Sequence, residues 1–176
     1  MACIKSMHHT YRRLEMQKLL ATVAALGFAA PAFAQEESQM SMEEVPQTVM
    51  EAAQSEAETR NVTLESVQMD SDQGTETYEL SGTMENGMMF EIDVLEDGTV
   101  EEIEEEVEMS AVPEEVSAAL EENLPGFQPD FIEKSTRPAD DGRVVYEFEG
   151  SHDGNDVDVE INEDGTNYMM NEDTAG

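Results

Sequence analysis

The chain of 176 residues has one cysteine, no tryptophan, three histidines and only eight lysines and arginines. Each scarcity excludes a class of chemistry. The cysteine is Cys3, ahead of an expected cleavage site, so the mature chain has no disulfide, thiol nucleophile or thiolate metal site. Exported proteins can form disulfides, so a fold without them relies on its apolar core. Zinc needs clustered His or Cys, and only His152 lies beyond residue 34. No G-x-S-x-G elbow, phosphate-binding loop or H-E-x-x-H pair is present. The shortage of bases leaves nothing to neutralise nucleic acid phosphates or anionic lipids, and neither is an expected partner. A DNA-mimicking inhibitor would suit the charge but not the export signal described next.

Long apolar runs are also missing. The longest, Leu19 to Ala30, has twelve residues. As a helix it would span about 18 Å, short of a bilayer core of roughly 30 Å. Lys18 precedes it, and Ala32-Phe33-Ala34 follows Pro31. A positive start, a short apolar run and an A-x-A site make a secretory signal. Residues 1–34 are therefore expected to be removed by cleavage after Ala34, with translation starting at Met16 as an alternative to Met1. Residues 35–43 are expected to be a flexible leader. The mature chain should be periplasmic or secreted, without membrane insertion.

Acid is what the chain has in abundance. Residues 1–34 hold four of the eight basic residues and one of the 42 acidic ones, which leaves 41 acids against Arg60, Lys134, Arg137 and Arg143, a formal charge of −37. Two readings fit: a solvated acidic shell that keeps an exported protein soluble, or a field that steers a cationic partner or divalent ions.

The chain also repeats itself. At a shift of 67 residues Val45-Pro46 falls on Val112-Pro113, Glu85-Asn86-Gly87 on His152-Asp153-Gly154, and Phe90 to Val94 on Val157 to Ile161. Glu96-Asp97-Gly98-Thr99 falls on an identical Glu163-Asp164-Gly165-Thr166, and one further residue of shift places Tyr78–Gly82 on Tyr146–Gly150. Matches that keep one order indicate two copies, 44–110 and 111–173. Each copy begins at a Val-Pro pair, where proline suits the first helical position and the valine before it leaves the α region. Helical spacing follows at Val49, Ala52, Ala53 and Ala57, and at Val116, Ala119, Leu120 and Leu124. Alternating segments come next: 62–69, 76–82 and 88–95 in the first copy, and 131–135, 143–149 and 155–162 in the second. Asn86-Gly87 and Asp153-Gly154 are hairpin turns. Residues 100–107 fit both helical and strand spacing, and a two-residue Asp97-Gly98 turn favours a strand with a bulge. The expected fold is α+β: two tandem repeats, each a helix packed on an antiparallel sheet of about four strands. Periodicity leaves open whether the repeats share a core or extend one sheet.

This pattern, from Val-Pro through Tyr-Glu-Leu/Phe-x-Gly to the alternating strand and Glu-Asp-Gly-Thr, resembles a PepSY or PepSY-like domain, twice over, across residues 44–170. The resemblance implies an architecture similar to the β-lactamase-inhibitor-protein fold. It also implies non-catalytic binding, inhibiting or regulating peptidases in the cell envelope. It brings no shared catalytic residues and no cofactor, and the strong acidity is not part of the family pattern.

Individual residues offer few sites. His152 falls in an expected turn, where solvation is its ordinary fate. Acid pairs are too numerous to single out a general acid and base. Calcium is the sharper question, because a calcium loop reads D-x-[DN]-x-[DN]-G-x5-E. With Glu160 at position 1, Asn162 and Asp164 take positions 3 and 5 and Gly165 position 6, but position 12 is Asn171, with Glu172 one residue late. The alternating valines also run into the loop where a calcium hand has a helix. No metal site is expected, and Glu160, Asn162 and Asp164 are only weak calcium candidates. Met88-Met89 and Met169-Met170 could bind Cu(I), but one of each pair has core parity, which favours gap-filling. Lys134, Arg137 and Arg143 break the single sign of the field and are the candidate docking residues for an acidic group, with pairing to nearby acids as the plainer role.

The chain therefore reads as a non-catalytic binding module for another exported protein or a basic peptide, with a divalent-cation (calcium) buffer or sensor as the alternative. An enzyme is disfavoured by the poverty of nucleophiles. Self-repulsion at this charge opposes the compact state. The Tm is therefore expected to rise with NaCl, and thermal melts at low and high salt that coincide would contradict this.

Overall fold

A computed structural model describes residues 38–72 and 75–173. The expected signal segment lies outside those residues. Among the described residues two α-helices form, α1 over Gln47–Thr59 and α2 over Glu114–Asn123. Each is preceded by its proline in extended conformation, Pro46 at ψ 141° and Pro113 at ψ 149°. The prolines thus stand one residue outside the expected position, as the caps. Glu114 and Glu115 sit in the first turn of α2, where the helix dipole favours acids. Leu124 caps the end of α2, ahead of Pro125 and Gly126. Val49, Ala53 and Ala57 of α1 and Val116 and Leu120 of α2 are buried. Full burial of a valine or leucine contributes about 1.5–3 kcal/mol.

Nine strands of the described residues make one sheet in sequence order, every neighbour antiparallel. They are β1 (Ser38–Gln39), β2 (Thr63–Asp72), β3 (Thr75–Thr83), β4 (Met89–Leu95), β5 (Val100–Glu106), β6 (Phe131–Arg137), β7 (Arg143–His152), β8 (Asn155–Asn162) and β9 (Met169–Asp173). Both helices lie on the same face. There Val67, Tyr78, Leu80, Phe90, Ile92, Val94 and Ile103 pack with α1. Ile132, Tyr146, Phe148, Val157, Val159 and Ile161 pack with α2 as a second cluster. So the sheet is shared while the apolar clusters are separate, which resolves what periodicity left open. Residues 100–106 form a strand, and the ladder between β4 and β5 shifts register between Asp93 and Val94, in keeping with the expected bulge.

Several details differ from the reading of the sequence. The stretch expected as a leader contains β1, paired with β2 at Ser38–Met69, and a 3-10 turn at Met42–Glu44. Ser41 Oγ accepts from the Glu43 N–H at 3.3 Å, and the Ser41 N–H donates to Glu44 at 3.1 Å, a capping box. β9 has no alternation to betray it and is an edge strand. Met88 and Met170 share parity with core residues, yet neither packs in either cluster among the described residues; Met88 lies outside β4 at a turn, and Met170 sits on the edge strand, 40% exposed.

The two Glu-Asp-Gly-Thr turns are three-residue rather than two-residue loops. Leu95 N–H donates to Thr99 O and Gly98 N–H to Leu95 O, and Asn162 and Gly165 repeat this with Thr166 and Asn162. Gly98 and Gly165 have φ of 87° and 78°, the left-handed residue that closes such a loop. Each turn is pressed against the start of a helix. Thr48 Oγ1 donates to Glu96 O at 3.0 Å, and a Cβ on Gly165 would lie 2.7 Å from Glu115 O. Gly142 also has positive φ, 71°, but open space around it. Gly165→Ala should therefore cost about 1–3 kcal/mol more than Gly142→Ala, since overpacking adds to a shared backbone strain. Equal losses in denaturant melts would show that the close approach is not felt.

Candidate functional site

Period-two alternation sends most of the strand acids to the face away from the helices, and the register then aligns them across strands. Glu106 of β5 stands opposite Glu133 of β6, Glu133 opposite Glu147 of β7, and Glu147 opposite Glu160 of β8. This is a glutamate row across four strands spaced about 4.8 Å apart. Beside it run Glu79–Asp93–Glu102, Glu91–Glu104 and Glu149–Asp158. Like charges directly opposite destabilise a sheet. Glu104, Glu147 and Glu160 are 3% exposed, so the repulsion is poorly screened there.

Arg137, at the end of β6, projects among these acids. Its Nε donates to Glu102 Oε1 at 2.6 Å and its Nη2 to Glu147 Oε1 at 2.9 Å, and Nη1 lies 3.7 Å from Glu160 Oε2. Ser135 Oγ also donates to Glu102 Oε1. Burial works against the guanidinium charge, but Glu102, Glu147 and Glu160 outweigh it and hold the arginine protonated. Glu147 responds the other way. Burial, then the charges of Glu104, Glu102 and Glu160, push its carboxyl well above the ordinary glutamate range, and Arg137 only partly opposes them. Oxygens of Glu102, Glu104 and Glu147 lie within 4.8 Å of one another, close enough to share a cation.

The opposite face of the same seam is also charged. Glu105 pairs in register with Lys134, and its carboxylate lies 3.9 Å from Lys134 Nζ and 3.3 Å from Arg60 Nε. Arg60 also meets Glu56 at 2.8 Å and sits 5.9 Å over the Phe90 ring.

The three candidate docking bases thus divide between faces. Lys134 is on the helix face; Arg137 and Arg143 are register partners on the other. The spacing of three between 134 and 137 requires this in a strand. Arg143 pairs with Asp140 at 2.7 Å. Of the calcium candidates, Glu160 extends to Arg137, the Asn162 amide donates to Thr166 Oγ1, and Asp164 accepts from the Thr166 hydroxyl and N–H. The Thr166 side-chain bond, then the backbone bond, hold the Asp164 carboxyl below its ordinary range. Its oxygen serves the turn. His152 ends β7, edge-on to Phe127 at 6.1 Å.

Glu102, Glu104, Glu106, Glu133 and Glu147 were not singled out by the sequence. Their alternation is visible in "VEEIEEE" and "YEFEG", but alignment across strands is set by register, which a single strand does not reveal.

A carboxyl raised by folding keeps its proton in the fold over a pH window where the unfolded chain, with a pKa of about 4.3, has lost it. Its stabilising effect is complete below that value and is lost as pH rises through the raised one. Acidification from pH 7 toward about 5 should therefore stabilise the protein. Glu147→Gln, which keeps an acceptor for Arg137, should raise the Tm at pH 7 by a few degrees and reduce the gain on acidification. Identical pH profiles of Tm in the two proteins would refute the assignment.

Among the described residues no helix is long and apolar enough to cross a membrane. No curated protein matches the chain. Residues 113–162 match the model of the family described as PepSY, the peptidase propeptide and YPEB domain. The match begins at the cap of α2 and runs through β8, so it covers the segment that carries Arg137, Glu147 and Glu160.

Proposed function

We propose that the chain is an exported, non-catalytic module of two tandem PepSY-like repeats that binds and restrains a cationic envelope protein, such as a peptidase. The observation that carries this is the strand face, where acids of six strands, β3 to β8, align about Arg137. The PepSY match supports a peptidase-regulating or inhibitory role of the propeptide type. The match lies within the second half; the equal element order of the two halves, each a helix followed by four strands, supports reading residues 44–110 as a second copy. Most of these carboxylates are buried, so the face would act through its field, which raises the encounter rate with a basic partner.

A divalent-cation buffer is the second reading, favoured by the convergence of Glu102, Glu104 and Glu147. Calcium takes six to eight oxygens. Arg137 already places a positive charge against two of these three carboxylates, which weighs against an ion there.

Two experiments separate the readings. Immobilised protein should retain a basic peptidase from a native envelope extract, release it at about 0.5 M NaCl, where charges are screened within a few ångströms, and lower its activity when added back. Failure to retain any such protein, or retention indifferent to salt, refutes the first reading. Calcium at matched ionic strength should shift the Tm no more than NaCl does, and a larger shift would favour the cation reading.

A further inference from the structure

The strand face ends at a hollow. Where β5 leaves the sheet and the loop before β6 enters it, a cavity of about 530 Å³ opens, lined by residues 106–109 and 127–132. Its floor is apolar: Phe127 and Ile132 belong to the second core, and Val107 packs against them. Met109, 43% exposed, stands at its side. Its charged rim is wholly acidic, with Glu106, Glu108 and Asp130.

Glu106 connects the hollow to the acidic face. It begins the glutamate row opposite Glu133, and its carboxylate accepts the Met89 N–H at 2.8 Å. The hollow and the row thus share a residue held in place. An apolar floor inside an acidic rim selects an apolar group flanked by positive charges, and the hollow has room for a bulky side chain together with the backbone that carries it. A small apolar molecule would gain nothing from the rim, and an acidic peptide would be repelled by it.

We propose that this hollow is an anchor site for one bulky apolar side chain of an extended cationic segment in the partner, whose flanking lysines or arginines lie on Glu106, Glu108 and Asp130. The inference deepens the docking role of the strand face and rests on it. The apolar anchor supplies affinity and register, while the acidic rim and row supply steering.

The test uses three short peptides against the purified protein, read by fluorescence anisotropy and by amide NMR shifts. One has phenylalanine between two pairs of lysines, one has glycine in its place, and one has phenylalanine between two pairs of glutamates. The lysine–phenylalanine peptide should bind at least about tenfold tighter than the lysine–glycine peptide, as burying an aromatic ring contributes. Its shifts should centre on Val107, Phe127 and Ile132, and the glutamate peptide should not bind. Met109→Ser, an exposed change whose fold circular dichroism can verify, should remove most of that tenfold advantage and leave the lysine–glycine peptide unaffected. Equal binding of the two lysine peptides overturns the anchor site while sparing the acidic face as a docking surface. If neither lysine peptide binds, both fall.

Discussion

A single guanidinium holds the strand face together. Arg137 reaches Glu102 on β5, Glu147 on β7 and Glu160 on β8, so it bridges the two halves of the sheet at their seam. Removing the arginine would leave the buried acids around it uncompensated, a loss that typically costs about 3–5 kcal/mol. Buried ion pairs are poor sources of net stability but good setters of register. Here the register concerned is that of β5 against β6, where four residue pairs join the halves. A slip of one residue would turn Arg137 away from the acids and into the helix face.

The seam is polar on both sides. Glu105 and Lys134 occupy it on the helix face, with Arg60 closing over them. Apolar clusters flank it without merging. Hydrogen bonds and charge therefore join the halves, while apolar burial stabilises each half separately. This division explains why a row of like charges is tolerable: the repulsion is concentrated at the strand face, and the core opposite supplies the offsetting burial.

Much of this was legible in the sequence. Val49, Ala53 and Val116 announce their helices by spacing, and Phe90, Ile92 and Val94 announce theirs as a half-buried strand. The recurrence of Glu-Asp-Gly-Thr reveals that two turns have one geometry. What stayed hidden depends on contacts between segments distant in sequence. The glutamate row arises from three independent registers. The shared sheet arises from pairing between β5 and β6 across a helix. β1 and β9 are edge strands whose pairing satisfies backbone groups without needing an apolar pattern. Parity alone could have separated Lys134 from Arg137, since three residues along a strand is an odd step.

The meander also bears on how the chain finds its fold. Every strand pairs with the one before it, so most closures span a short turn, and low contact order favours rapid folding. Two closures are longer: β1 meets β2 across residues 40–62, with α1 between them, and β5, which joins the two halves, must meet β6 across residues 107–130, with α2 between them. Hairpins on either side can form before that joint does, since each closes a shorter loop. The joint that Arg137 fastens is thus the kinetic hinge of the assembly, and the continuous acidic face exists only once it has closed.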